Sequence, residues 1–285
     1  MEVARKIIDI RQLIRRAKKA GQTVGFVPTL GALHAGHLSL IKRARQESDF
    51  VVVSIFLNPT QFGPEEDLSK YPKQEREDLD LCSQAGVDAV FSPSVEQMYP
   101  SGHRTAVKVQ GLSEKLCGTH RPGHFAGVCT VVAKLFNIVE PDLAYFGQKD
   151  AQQALIITRM VQDLDMPIQI RLCPTIREEN GLAMSSRNAY LTAQQRSQAA
   201  CLYQALLKGK DLIEADQRDP QVVTEAMKKI ITQASPCQID YIAAVDPQTL
   251  EPVTKQSPVW LLAVAVWIGK ARLIDNIVVD ISKAK

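Results

Sequence analysis

Two histidines, His34 and His37, stand three residues apart in PTLGALHAGH, the stretch from Pro28 to His37, in a chain with only five histidines. The apolar run TVGFV precedes them and reads as a buried strand. A helix is expected from His34 to Arg45. Three apart on a helix, the two rings share a face, about 60° from one another. Gly36 lies between them and lets a flat group approach the backbone. The first turn of a helix offers unpaired N–H groups and the positive end of the dipole, and both favour phosphate. Imidazoles there can donate hydrogen bonds to phosphate oxygens and stabilise charge that builds up in a transition state. Spacing alone leaves other readings open. Two histidines could bind a metal, although no nearby acidic or cysteine partner completes the set. They could also be ordinary surface residues.

Two later stretches carry compatible chemistry. MSSRN, Met184 to Asn188, sets two hydroxyls before an arginine that can pair with two oxygens at once. Its alternative is a pair of capping or turn serines. FGQKD, Phe146 to Asp150, follows the strand-like DLAYF and opens a helix, so Lys149 holds another phosphate-favouring position. Its alternative is a solvated Lys–Asp turn. Neither G-x-x-x-x-G-K-[ST] nor G-x-G-x-x-G occurs, so P-loop phosphoryl transfer and the dinucleotide fingerprint are both unsupported. Asn58 and Gln61 follow FVVVSIFL, Phe50 to Leu57, where an α/β sheet would place its ligand. Primary amides donate and accept at once. HRPGHF adds His120 and His124, either a second acid–base pair or, as expected here, residues that shape a loop.

The elements that must position these residues alternate. A helix from Ile7 to Ala20 ends at Gly21, and FVVVSIFL has the β-branched richness of a parallel strand covered on both faces. EREDLDLCSQAG leads to the strand DAVFS, a long apolar helix runs from Phe125 to Val139, and AQQALIITRMVQDL leads to IQIRLC. This alternation predicts an α/β fold with a doubly wound parallel sheet over residues 1–180. Beyond it lies a polar, irregular stretch. Then come an Ala- and Leu-rich helix, a helix near Val222 to Ala234, and strands near Ile239 to Val245, Trp260 to Ile268 and Leu273 to Val279. Residues 181–285 thus read as a smaller α+β domain.

Bulk properties narrow the classes. The chain has 285 residues, 45% hydrophobic, enough for a sizeable core. Its net charge of +3, from 34 basic and 31 acidic residues, is too balanced to argue for nucleic acid. The six scattered cysteines form no C-x-x-C pair, which suits reduced thiols in a cytoplasmic protein. MEVARKIIDI lacks the apolar run of a signal peptide. The most apolar segment, Val259 to Ile268, is well short of the ~20 residues that span a bilayer. No membrane partner is expected.

Taken with SIFLNPTQF and HRPGHFAGVCTVV, these stretches resemble the pantothenate synthetase family, the ATP-dependent pantoate–β-alanine ligases. The likeness covers nearly the whole chain, down to RLIDNI, which looks like the family's closing strand. It implies a Rossmann-like fold of the nucleotidyltransferase type with a C-terminal lid, a homodimer, and magnesium accompanying ATP. It implies that pantoate's carboxylate attacks the α-phosphorus of ATP, and that the amine of β-alanine then attacks the pantoyl adenylate. The catalytic residues it implies are His34, His37, Lys149 and Arg187, with His37 also a proton donor. The nucleotide would meet Leu30, Gly31, Ala32, Leu33, His34, Ala35, Gly36 and His37. It would also meet Gly147, Gln148, Lys149 and Asp150, the backbone of Ile176, and Met184, Ser185, Ser186 and Arg187. Gln61, Gln153 and Asn58 would meet pantoate, and Gln61 also β-alanine. Tyr71, Asp78 and Arg121 are secondary candidates, with Asp78 expected to help hold magnesium. The chain departs from the family's pattern at Leu30, usually Met, at Ala35, often Glu, and at Gln148, commonly Glu. Leu for Met keeps apolar volume, and none of the three removes a catalytic group. Two rivals remain at this stage: an adenylyltransferase acting on a phosphate acceptor, and a nucleotide-sensing module without turnover.

Overall fold

The computed structural model describes residues 1–64 and 66–282. The chain divides into two units. The first comprises Met1–Ser113, Arg121–Gln148 and Gln152–Pro174. Its strands are β1 (Glu2–Ala4), β2 (Val24–Thr29), β3 (Phe50–Ile55), β4 (Ala89–Phe91), β5 (Leu143–Gly147) and β6 (Gln169–Cys173). Its helices are α1 (Ile7–Lys19), α2 (Ala35–Glu47), α3 (Glu75–Gln84), α4 (Val95–Met98), α6 (His124–Val139) and α7 (Ala151–Asp163).

The strands form one sheet in the order β1-β4-β3-β2-β5-β6, and every pair is parallel. The uninterrupted apolar runs of β2 and β3 lie at its centre, where a strand is covered on both faces. Their register runs level from Val24↔Phe50 to Thr29↔Ile55, so both strands end together. The chain leaves β2 for β3 on one side, while β5 pairs with β2 on the other. That reversal of strand order is where open α/β sheets bind ligands, beyond the carboxyl ends. The loops after β2 and β3 both start there. The long helix α6 is buried nearly all round. Its Phe136 stands edge-on to Phe26 of β2 and to Phe146 of β5, at 6.3 and 6.4 Å between centroids.

The first strand is a feature that periodicity does not reveal. β1 pairs with β4 through Val3↔Val90, but two of its three residues are exposed, so it shows no apolar repeat. FVVVSIFL stops being a strand at Ile55, although Phe56 still donates its N–H to the Thr29 carbonyl at 3.1 Å.

The second unit comprises Glu114–His120, Lys149–Ala151 and the chain from Thr175 on. It contains α5 (Cys117–His120), α8 (Ala193–Ala199), α9 (Cys201–Glu214) and α10 (Pro220–Ala234). Its antiparallel sheet β7-β8-β9 is made of Gln238–Val245, Val259–Ile268 and Ala271–Asp280. Leu202 and Leu206 of α9, Met227 of α10 and Trp260, Leu262 and Val264 of β8 share one core. Asp219 caps α10 ahead of Pro220, and Thr192 with Gln195 forms a capping box on α8.

The boundary therefore falls near Pro174, earlier than the expected 180, and two short stretches from the middle of the chain belong to the second unit. Long-range polar bonds explain their allegiance. Lys115 Nζ donates to the Thr249 carbonyl at 2.8 Å, Arg272 Nη1 to Cys117 Sγ at 3.2 Å, and Asn276 Nδ2 to the Lys149 carbonyl at 2.9 Å. Among the described residues no helix is long and apolar enough to cross a membrane. All six cysteines are free thiols, five of them buried.

Candidate active site

The histidine loop begins where β2 ends. Thr29 Oγ1 donates to the Ser54 carbonyl at 2.7 Å and accepts from Gly31 N–H at 3.2 Å. Gly31 (φ 87°) and Ala32 (φ 51°) are both left-handed. A Cβ on Gly31 would lie 3.1 Å from Asp78 Oδ2 and 3.2 Å from Ile55, so glycine is needed for space as well as for φ. Left-handed backbone at Ala32 costs about 1 kcal/mol. The bend aims the N–H groups of Ala32 and Leu33 at the two carboxylate oxygens of Asp78, at 2.8 and 2.7 Å. Charge-assisted bonds of this kind offset the strain.

His34 is the N-cap of α2, with extended backbone (φ −143°), rather than its first helical residue. Its Nδ1 accepts from Gly36 N–H at 3.1 Å, and His37 Nδ1 accepts from His34 N–H at 3.3 Å. The two side chains thus form a reciprocal capping box. An Nδ1 that accepts carries no hydrogen, so in each neutral ring the proton sits on Nε2. The rings lie 4.1 Å apart at 34°, a tilted pair. The expected pairing on a helix face is replaced by a cap, because α2 begins at Ala35. Leu30, His34, Gly36 and His37 are partly accessible, Ala35 is exposed, and Gly31, Ala32 and Leu33 are buried.

The amide loop follows β3. Asn58 is fully buried and caps the short 3-10 turn Pro59–Gln61. It donates to Gln61 Oε1 at 3.1 Å and to the Gly127 carbonyl at 3.2 Å, and it accepts from Tyr99 OH at 2.8 Å. Helix α6 reaches this turn only because residue 127 is glycine, since a Cβ there would overlap the Thr60 carbonyl. Tyr71 is buried, with its ring 6.1 Å from Phe62 in an edge contact. Arg121 pairs with Glu66 and touches His124. Burial alone would raise the Glu66 pKa, but the Arg121 guanidinium outweighs it and holds the carboxyl below its ordinary value. His120 lies in the second unit, near Asp240. Gly147 and Gln148 lie partly accessible at the end of β5, as does Gln153 on α7. Its neighbour Gln152 is the buried one, bound to the Leu112 carbonyl at 2.9 Å.

The second unit assembles the remaining candidates. Lys149 and Ser185 line one small cavity with Leu182, Ala183, Leu202, Leu273, Ile274 and Asp275. Lys149 Nζ lies 3.6 Å from Asp150 Oδ1. Ser185 Oγ accepts from Arg187 N–H at 3.3 Å and so caps the 3-10 turn Ser186–Tyr190. Met184 N–H donates to the Ile176 carbonyl at 2.9 Å. Around this loop stand residues that motif reading passed over. Asn188 is buried and donates to Glu178 Oε1 at 2.7 Å and to the Ala183 carbonyl at 3.1 Å. The Arg177 guanidinium stacks 3.6 Å from the Tyr203 ring centre and pairs with buried Asp275. The available signal was polarity inside apolar strands: Asp275 and Asn276 are the buried polar pair of RLIDNI.

The sequence matches the pantoate-beta-alanine ligase family over residues 2–278. The chain belongs to that family. A pantothenate synthetase of Moorella thermoacetica is 55% identical over 282 residues, covering 99% of this chain and 100% of the relative. One from Caldicellulosiruptor bescii is 50% identical, covering 98% and 99%. The crystal structure of pantothenate synthetase from Thermus thermophilus superposes with a TM-score of 0.92 at 44% identity, covering 97% of this chain and 99% of that one. The pantoate-beta-alanine ligase of Francisella tularensis, solved with beta-gamma ATP and beta-alanine, gives 0.81 at 36% identity, covering 97% of both chains. This pantoate–β-alanine ligase family member is thus an enzyme, and its reaction is the condensation of pantoate with β-alanine.

One expected site residue of this ligase takes a different part. Asp78 does not fit magnesium. Its side chain is 1% exposed, and each oxygen already accepts a backbone N–H. It shapes the loop that carries the histidines. Among the described residues no three His, Cys, Asp or Glu side chains gather as metal ligands.

Proposed function

We propose that the condensation proceeds through an enzyme-held pantoyl adenylate. His37 serves as proton donor, and His34, Lys149, Ser185, Ser186 and Arg187 serve as donors to the ATP phosphates. The carboxylate of pantoate attacks the α-phosphorus, and pyrophosphate leaves. The amine of β-alanine then attacks the acyl carbonyl, and AMP leaves with the bonding pair. Adenylation is needed because a free carboxylate has no acceptable leaving group. Help at phosphorus is then mostly positioning and charge neutralisation.

The observation that carries this reading is the reciprocal cap of His34 and His37. Both Nδ1 atoms accept from backbone N–H groups, which puts the hydrogen of each neutral ring on Nε2 and fixes the orientation of both imidazoles. In the second unit Lys149 and Ser185 line one small cavity, which brings a cation and a hydroxyl near one another. Leu30 to His37, Gly147 to Asp150, Ile176 and Met184 to Arg187 then line the nucleotide. Gln61 and Gln153 serve pantoate, Asn58 through the Gln61 that it holds, and Gln61 also β-alanine. Magnesium enters on the ATP phosphates as part of the substrate. The second unit acts as an ATP-responsive lid, so ATP should slow amide exchange over residues 184–187. The enzyme works in the cytoplasm as a homodimer. In support of the dimer, β6 is the last strand of the sheet and exposes Leu172. Sedimentation velocity tests it.

The chemistry is tested by product analysis. With ATP, pantoate and β-alanine, AMP and pantothenate should appear together, and labelled pyrophosphate should exchange into ATP only when pantoate is present. A product that retains the AMP moiety would mark an adenylyltransferase instead. His37→Ala should slow adenylation by about 10²–10³-fold, the usual loss for one transition-state donor. Unchanged turnover would remove His37 from the mechanism.

A further inference from the structure

HRPGHFAGV does more than precede a helix. Its residues surround Gln61, and backbone groups, which cannot exchange roles, fix how each side chain is oriented. A carbonyl only accepts, so the Asn58 atom 3.2 Å from the Gly127 carbonyl is Nδ2. A backbone N–H only donates, so the atom facing Thr60 N is Oδ1. Asn58 therefore offers a hydrogen to Gln61, and the Gln61 atom 3.1 Å away is its oxygen. The Gln61 Nε2 donors are left over, and among the described residues no group accepts from them.

The same logic assigns His124. Its Nδ1 lies 2.8 Å from the Gln61 carbonyl, so Nδ1 carries the hydrogen. Nε2 is then bare, and it accepts from Arg121 Nη1 at 3.0 Å, which can only donate. Glu66 holds Arg121 in turn, at 2.8 Å through Nε. Both ring nitrogens of His124 thus have structural partners, the Gln61 carbonyl and Arg121, which argues against the acid–base reading of HRPGHF.

We propose that His124 is a positioning residue: with Asn58 it holds Gln61 so that the amide meets the acid substrate as a donor, to a carboxylate or hydroxyl oxygen. This rests on the reading that Gln61 serves pantoate. It also specifies that reading, because the Nε2–H groups that Gln61 presents suit a carboxylate or hydroxyl oxygen and not the ammonium end of β-alanine.

The test uses the full chain, with initial rates measured against pantoate at saturating ATP and against ATP at saturating pantoate. Gln61→Ala should raise the pantoate KM about ten-fold or more, with the ATP KM unchanged. If it does not, Gln61 does not serve pantoate, and the proposal falls with that reading. If it does, His124→Ala should give the same split, and His124→Asn, whose amide N–H reaches where Nδ1 stood, should recover most of it. His124→Gln, which places its N–H at the Nε2 position, should not. Equal loss in the Asn and Gln variants, or a fall in stability with no change in the pantoate KM, would leave Gln61 in its role and overturn the proposal for His124. Gln61→Glu should bind pantoate more weakly than Gln61→Ala, since its second oxygen would face the acid as an acceptor; tighter binding would contradict the donor assignment. A readout free of substitution is nitrogen NMR of His124. A neutral ring protonated at Nδ1 is expected, and an Nε2–H tautomer would also overturn it.

Discussion

In the first unit, Leu30–Leu33 is held by one buried carboxylate that reads two backbone N–H groups. In the second, Asn188 at the end of Ser185–Asn188 is held by Glu178, which Arg196 holds in turn, and beside the loop Arg177 pairs with Asp275. Both loops belong to the proposed phosphate-handling set, yet they are held differently. Where backbone N–H groups must be bent into place, a carboxylate with two oxygens defines them directly. Where side chains must be presented, the scaffold consists of ion pairs, and the outermost of these is half open to water. The Arg196 side chain is 49% exposed, against 14% for Glu178. The second anchor should therefore be the more sensitive of the two to salt.

The largest expected effect comes from Asp78→Ala. It strands two buried N–H groups and should cost about 3–6 kcal/mol, at the upper end for bonds to a charged acceptor. Urea unfolding measures the loss, and amide exchange should place it at residues 30–33. Asp78→Asn keeps one acceptor and should lose roughly half as much. Asp275→Ala follows. It leaves the Arg177 guanidinium without its carboxylate and should cost about 3 kcal/mol, with exchange rising over residues 177–188 instead. If either variant loosened the other loop as well, the two anchors would not be separate.

Acid probes the second anchor. Burial would raise the Glu178 pKa, but Arg196 and Asn188 outweigh it and hold the carboxyl below the ordinary 4.5. A depressed folded pKa contributes stability above the unfolded value and loses it as pH falls through the folded one. Protection over residues 178–188 should thus decline as pH drops below 4.5. Glu178→Gln should abolish that decline at a cost of about 1 kcal/mol near neutral pH. The smallest effect is chemical. Burial, with Asp78 adding to it, pushes the Cys82 thiol up to about 12, and burial pushes Cys129 and Cys201 to about 11. Cys237 is only partly buried, so an alkylating reagent at mildly basic pH should reach it first. In Asp78→Ala, Cys82 should become faster to label than in the parent, both because the charge that helps raise its pKa is gone and because the first anchor opens.

Much of this was legible beforehand, and the reasons differ between residues. His34, His37, Lys149 and the Met184–Arg187 stretch could be picked out because their functional groups and spacings are local. The geometry of the histidine pair was not visible in the same way. The helix starts one residue later than its pattern suggests, which turns a helix face into a cap. Asp78 entered only through the family resemblance, as a secondary candidate for magnesium, and only its distance to the loop shows what it holds. β1 escaped notice because a three-residue edge strand has no periodicity to detect.

What the amino-acid sequence determined by itself is the alternation of strands and helices, the buried β2 and β3, and the inventory of donors suited to a triphosphate. Apolar period and side-chain chemistry act within a few residues, so they survive in the linear order. The tertiary structure alone decided which partner each donor is given. Asp78 reaches Leu33 across 45 positions, His124 reaches Gln61 across 63, and Asn276 reaches Lys149 across 127. Bonds of that span depend on where the chain crosses itself, and no local pattern records the crossing.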